Sequence, residues 1–180
     1  THDTRNWEVG LLDNDIPPPV FLVGFPRSGT TLTEQLIASL KQIVPSDEKP
    51  MLDRLIHELP IVLRRPFSYP QDLDSLTVTE LSSLRKRYWL LAEKMVGPID
   101  TGERLLDKMP FNVVDLGMIY RLFPDAKIIV VVRDPRDCCL SCFMQPFIPS
   151  QTNIHLMSLK SSVRLYTAVM DLWMHYRSNL

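Results

Sequence analysis

The run Val20-Phe21-Leu22-Val23-Gly24, followed at once by Phe25-Pro26-Arg27-Ser28-Gly29-Thr30-Thr31, constrains this chain more than any other feature. Four apolar residues in a row, too few for a helix and closed by glycine, read as a buried strand. From Gly29 the pattern changes: Leu32, Leu36, Ile37 and Leu40 recur at helical spacing on one face, and the helix should stop before Pro45. A buried strand that turns directly into a helix is the opening of a parallel-sheet unit. Such a turn gathers backbone N–H groups and a helix N-terminus, which together make a nest for an anion.

Against the phosphate-loop pattern G-x-x-x-x-G-K-[ST], Gly24, Gly29 and Thr31 are in place and Thr30 replaces the lysine. The nest survives that change, and the hydroxyls of Ser28, Thr30 and Thr31 add donors. The lost lysine is the cation that reaches the β- and γ-phosphates of a nucleoside triphosphate. A cation returns inside the loop as Arg27. The loop is therefore expected to hold a phosphate with an attached reacting group, not necessarily a triphosphate.

Elsewhere, strands and helices alternate. Lys127 to Val132 is the clearest strand, β-branched and apolar on both faces as a central parallel strand should be, and Leu105-Leu106-Asp107 is a shorter one. One helix carries Leu52, Leu55, Ile56 and Leu59 and should break at Pro60. Thr77-Val78-Thr79-Glu80 reads as a capping box for a long helix with the stripe Leu81, Leu84, Tyr88, Leu91 and Met95, ended by Gly97-Pro98. Further helices are expected over Asn112 to Phe123, from Asp134-Pro135 through Ser141, and along Val163, Tyr166, Met170 and Trp173. The class is α/β: a parallel sheet with helices on both faces. Residues 1–19 read as an extended lead-in, and residues 20–180 as one domain with a helical insertion at about 50–100. Only three strands are evident, and the last residues read as helix, so the domain is expected to be incomplete at the C-terminus and part of a larger protein.

With 20 basic and 21 acidic side chains in 180 residues, there is no bulk basic field for nucleic acid. The longest strictly apolar run, Ile128 to Val132, is far short of a membrane span. The three cysteines, Cys138, Cys139 and Cys142, cannot form a paired framework and have no second half for a zinc site. They read as small apolar residues on a buried helix, in a reducing, cytoplasmic setting. No metal site is expected.

In open α/β sheets, ligands collect beyond the carboxyl ends of the strands. Arg133 leaves the strongest strand there, and Ser141 follows eight residues later, about two helical turns on. Together they suit a second phosphate; the alternative is that Arg133 pairs with Asp134 or Asp137 at the helix start. Lys108, after the short strand, and Glu48, in Ser46-Asp47-Glu48-Lys49, read singly as solvated loop charges. His57, His155 and His175 read as packing or surface residues.

Pro26-Arg27-Ser28-Gly29-Thr30-Thr31 resembles the 5′-phosphosulfate-binding loop of sulfotransferases that use 3′-phosphoadenosine 5′-phosphosulfate, and Val132-Arg133-Asp134-Pro135-Arg136-Asp137 with Ser141 resembles their 3′-phosphate motif. Leu106-Asp107-Lys108-Met109-Pro110 and Leu122-Phe123-Pro124-Asp125-Ala126-Lys127 resemble the branch containing tyrosylprotein sulfotransferases and bacterial sulfotransferases with tetratricopeptide repeats. The resemblance implies a P-loop-type fold and transfer of a sulfonate from that donor to a hydroxyl acceptor, which is a peptidyl tyrosine, a sugar or a small molecule. It needs no metal and leaves 3′-phosphoadenosine 5′-phosphate as product. It implies that Arg27 neutralises the transferring sulfonate and the leaving phosphate. Ser28, Gly29, Thr30 and Thr31 would hold the 5′-phosphate, and Arg133 and Ser141 the 3′-phosphate. Lys108 matches a lysine near the sulfonate, and Glu48 matches the general base. Gln145 stands where some members have a further arginine. The family's distal segment and repeat domain would lie outside the chain, as further domains of the same protein. The helices between Met51 and Val96, with Tyr88 and Trp89, are expected to line part of the acceptor pocket.

Two other readings share the loop. An ATP- or GTP-using phosphate-loop enzyme would employ Asp107 or Asp134 as a strand-end magnesium ligand. A non-catalytic nucleotide-fold scaffold would bind without transfer.

Overall fold

The computed structural model describes residues 18–146 and 153–180. The lead-in expected over 1–19 lies outside these residues up to position 17. Four parallel strands, β1 (Val20–Gly24), β2 (Ile43–Pro45), β3 (Arg104–Lys108) and β4 (Lys127–Val131), form one sheet in the order β2-β3-β1-β4. Helix α1 (Thr30–Ala38) follows β1. Helices α2 (Met51–Leu63) and α3 (Val78–Val96) fill the connection from β2 to β3. A 3₁₀ turn over Pro110–Asp115 leads into α4 (Leu116–Leu122), and β4 is followed by α5 (Pro135–Phe143) and α6 (Leu159–Asn179).

The register sorts the sheet into two faces. Phe21 pairs with Asp107 and Leu22 with Lys108, so alternation puts Phe21, Val23, Leu105 and Asp107 on one side and Leu22, Leu106 and Lys108 on the other. The first side carries the main core, where Phe21, Val23 and Leu105 pack with Leu52, Leu55 and Leu59 of α2, Leu84 and Tyr88 of α3, and Ile119 of α4. Helix α1 covers the second side, since its Glu34 reaches Lys108 there. This is the expected α/β arrangement with helices on both faces, and among the described residues no helix is long and apolar enough to cross a membrane.

Five details depart from the sequence pattern. Strand β2 is only three residues, too short to show alternation, and exists because Ile43 and Val44 pair with the β3 backbone. Strand β4 sits at the sheet edge, not its centre, among the described residues; its burial is accordingly partial, with Ile128 at 36% exposure. Helix α2 continues through Pro60 to Leu63, because Val62 and Leu63 still pack on the core and hold the last turn. Helix α1 turns Leu32 and Leu36 outward, with Leu40 just beyond its end also exposed, and buries Thr30 and Glu34. Residues 112–115, expected as α-helix, are in the 3₁₀ turn.

The capping box forms as read: Thr77 N–H donates to Glu80 Oε2 at 2.9 Å, and Glu80 N–H to the Thr77 hydroxyl at 3.3 Å. All three cysteines are buried and free, and burial pushes the Cys142 thiol up to about 12. Helix α6 packs against the loop after β1. Tyr166 lies edge-on to Phe25 with ring centres 4.9 Å apart, anchoring the root of the loop after β1.

Candidate active site

The loop after β1 is shaped by two glycines. A Cβ on Gly24 would lie 2.6 Å from the Val131 carbonyl oxygen and 2.9 Å from the Ser28 hydroxyl, so only glycine lets the loop root pass β4. Gly29 is the N-cap of α1 with φ 108°, a left-handed conformation that costs glycine little. With no side-chain cap, the N–H groups of the first turn are free to face an anion. Arg27 also holds a positive φ, 68°, a strained backbone that aims its side chain across the loop. The Ser28 hydroxyl is buried and has no hydrogen-bond partner among the described residues, an orphaned donor inside the nest.

A cavity of about 490 Å³ opens in front of this loop. Seven of the nine residues expected at the site line it: Arg27, Gly29, Thr30, Thr31, Glu48, Arg133 and Ser141. The other wall is Met109, Pro110 and Phe111. Ser28 and Lys108 lie behind the surface, both buried. Arg27 Nε donates to the Ser141 hydroxyl at 3.0 Å, tying the loop to α5. Arg133 meets Asp137 Oδ2 from Nε at 3.3 Å and from Nη2 at 3.1 Å, so the pairing weighed from the sequence is formed at the helix start. Asp134 caps α5 and pairs with Arg136, whose hydrogen bonds hold its carboxyl down at about 2. A smaller hollow of about 290 Å³ continues past Arg27, Arg133 and Ser141 to Gln145.

At the other end, Lys108 is no solvated loop charge. The residue is 1% exposed, and its ammonium sits 2.7 Å from Glu48 Oε1 and 3.2 Å from Glu34 Oε2. Burial pulls the ammonium down, but the hydrogen bonds to Glu48 and Glu34 outweigh it and leave its pKa above the ordinary lysine value. The loop bearing Glu48 is pinned by Ser46, whose hydroxyl accepts from Lys108 N–H at 2.9 Å and whose own N–H donates to the Leu106 carbonyl at 3.0 Å.

The sequence profile of the Sulfotransferase family matches residues 18–180. The chain belongs to the sulfotransferase family. Protein-tyrosine sulfotransferase 1 of Homo sapiens is 32% identical over 121 residues, 66% of this chain and 32% of that protein. Protein-tyrosine sulfotransferase A of Caenorhabditis elegans is 28% identical over 127 residues, 68% of this chain and 32% of that protein. An uncharacterized protein of Aquifex aeolicus is 32% identical over 134 residues, 72% of this chain and 17% of that one. The chain thus spans about a third or less of the length of these relatives. The solved sulfotransferase STF9 from Mycobacterium avium aligns at a TM-score of 0.48 and 16% identity, covering 93% of this chain and 58% of that one.

Three side chains of this sulfotransferase-family chain have roles that the sequence pattern did not reveal. Glu34 was hidden in an α1 stripe read for its leucines, yet it is the buried partner of Lys108. Ser46 carries no local signal, yet it ties the Glu48 loop to β3. Asp107 is fully buried and accepts from the Tyr88 hydroxyl at 2.7 Å. Tyr88 is therefore a core residue, and no residue between 51 and 96 lines the cavity among the described residues, contrary to the expected acceptor wall. The magnesium-nucleotide reading fares similarly. Asp107 faces α3 and Asp134 is engaged by Arg136, and neither lines the cavity.

Proposed function

We propose that this chain carries the donor site and reacting groups for transfer of a sulfonate from 3′-phosphoadenosine 5′-phosphosulfate to a hydroxyl acceptor. The observation that supports it best is the convergence of Arg27, Arg133, Ser141 and an uncapped helix N-terminus on one cavity, with Glu48 on its wall and the partner of Glu48, Lys108, buried just behind. The donor set fits the group: two guanidiniums, free N–H groups and an orphaned Ser28 hydroxyl suit two phosphate charges on one nucleoside.

In this reading, the N–H groups from Ser28 to Thr31 hold the 5′-phosphate, and Arg133 with Ser141 hold the 3′-phosphate. Glu48, with its side chain 49% exposed at the cavity, takes the proton from the acceptor hydroxyl. The acceptor oxygen bonds to sulfur as the bond from sulfur to the bridging oxygen breaks in line. The charge left on the 5′-phosphate falls on Arg27, Lys108 and the loop N–H dipoles, which are already oriented. The acceptor that suits best is a peptidyl tyrosine, because the named relatives are protein-tyrosine sulfotransferases and Met109, Pro110 and Phe111 offer an apolar wall for a phenol ring.

Calorimetric titration with 3′-phosphoadenosine 5′-phosphate, beside ATP with and without magnesium, tests the donor site. Binding of the bisphosphate that is indifferent to magnesium and weakened in Arg133→Ala is expected. Magnesium-dependent binding of ATP alone would reject the reading.

A further inference from the structure

We propose that Glu34 is a positioning residue that frees Glu48 to act as base; this rests on the sulfonate-transfer reading above. Glu34 is 5% exposed, on a helix that leaves Leu32 at 62% and Leu36 at 66%. Burying a carboxylate while exposing leucines is the reverse of what hydrophobic burial favours, so a specific partner must compensate. That partner is double. Glu34 Oε2 lies 3.2 Å from Lys108 Nζ, and Glu34 Oε1 accepts the Asp47 N–H at 3.0 Å.

The second contact matters because Asp47 and Glu48 both adopt left-handed backbone, φ 50° and 58°, unfavourable for side-chain-bearing residues. One carboxylate thus fixes the strained turn that presents Glu48 and the ammonium that Glu48 contacts. The two acids on Lys108 are not equivalent. Glu34 is sealed away and does not line the cavity, whereas Glu48 does. When an incoming sulfonate draws the Lys108 ammonium, Glu34 keeps that charge compensated and Glu48 releases it to receive the acceptor proton. With Glu34 neutral, Glu48 is the ammonium's one remaining carboxylate among the described residues, and the pair resists separation.

The test is Glu34→Gln in the full chain, which keeps an acceptor for Asp47 N–H and removes the charge. Transfer kinetics and calorimetry with 3′-phosphoadenosine 5′-phosphate are measured together. Expected are a fall in kcat of tenfold or more, with acceptor KM and bisphosphate Kd each within about twofold of wild type. Glu34→Asp keeps the charge but is too short to reach both partners, and should lose activity to an intermediate extent; it also serves if Glu34→Gln does not fold. Unchanged kcat, or kcat and Kd worsening in parallel, overturns the positioning role. Full activity in Glu34→Gln alongside an inactive Arg27→Ala overturns that role alone and leaves sulfonate transfer standing. Absence of bisphosphate binding in the wild type overturns both.

Discussion

Arg27 Nε and the Ser141 hydroxyl, 114 residues apart in sequence, lie 3.0 Å from each other. The contact joins the two segments that resemble phosphate sites, one from the turn after β1 and one from α5, so the ends of the nucleotide would be read by touching groups. Arg27→Ala should reduce transfer by about 10²–10³-fold or more, the usual cost of removing one preorganised donor at developing charge. Ser141→Ala removes one hydrogen bond to a charged phosphate, worth about 1.5–3 kcal/mol, and should weaken bisphosphate binding by about 10- to 150-fold. A sulfonate-transfer assay and calorimetry check the pair. An Arg27→Ala variant with wild-type kcat would sink the assigned role.

Arg133 starts from a different state. It is half exposed and already paired with Asp137, which would compete with a phosphate for it. An exposed pair of this kind contributes about 0–1 kcal/mol, so Asp137→Asn should tighten bisphosphate binding by up to about fivefold. Arg133→Ala should weaken it by about 10- to 150-fold, the loss of a charge-assisted hydrogen bond worth about 1.5–3 kcal/mol. Opposite signs for two neighbours at one ion pair are the diagnostic. If Asp137→Asn weakens binding as Arg133→Ala does, Asp137 serves to orient the arginine instead of competing for it.

Glu48 offers a cleaner separation of binding from chemistry. It touches Lys108 at 2.7 Å, lines the cavity, and is absent from the donor-holding set around Arg133. Glu48→Gln should lower kcat by about 10²–10⁴-fold, the range for a positioned general base. Bisphosphate affinity should stay within about twofold. Equal losses in both quantities would instead make Glu48 part of the donor site.

The sequence was most legible where chemistry is local. The strand-to-helix loop, the Thr77–Glu80 capping box and the apolar stripe of α3 all follow from neighbours within a turn or two, and the structure forms each of them. Arg133 and Ser141 were readable because a strand end and a helix spacing place them on one side. What stayed hidden depends on distant partners. Nothing within α1 signals that Glu34, not Leu36, faces inward; the reason is a buried ammonium 74 residues away on β3. Likewise Ile43–Pro45 becomes a strand only because Arg104–Leu106 lies alongside it. Lys108 and Glu48, each unremarkable alone, gain meaning as a pair. Tyr88 is core, as its stripe implies, and does not line the cavity.

Asp107 gives a stability test whose sign can be worked out. It is fully buried, one oxygen accepts from Tyr88, and the other has no partner among the described residues. Burial pushes its carboxyl up to about 7 from an ordinary 3.8; the Tyr88 hydrogen bond opposes this and the charge of Glu34 adds to it. The folded state therefore holds this proton more tightly than the unfolded chain. The group's contribution to stability is complete below about pH 4, falls as pH rises towards 7, and is flat above that. A shift of about 3 units at 1.36 kcal/mol each corresponds to a loss of order 4 kcal/mol across the window. Asp107→Asn is neutral throughout and its carbonyl can still accept from Tyr88. In urea unfolding at pH 5 and pH 8, wild type should lose stability between the two, and the variant should lose less. At pH 8 Asp107→Asn should match or exceed the wild type, while Tyr88→Phe, which removes the donor that eases the buried charge, should fall below it. Identical pH slopes for wild type and Asp107→Asn would show that Asp107 does not titrate in this range.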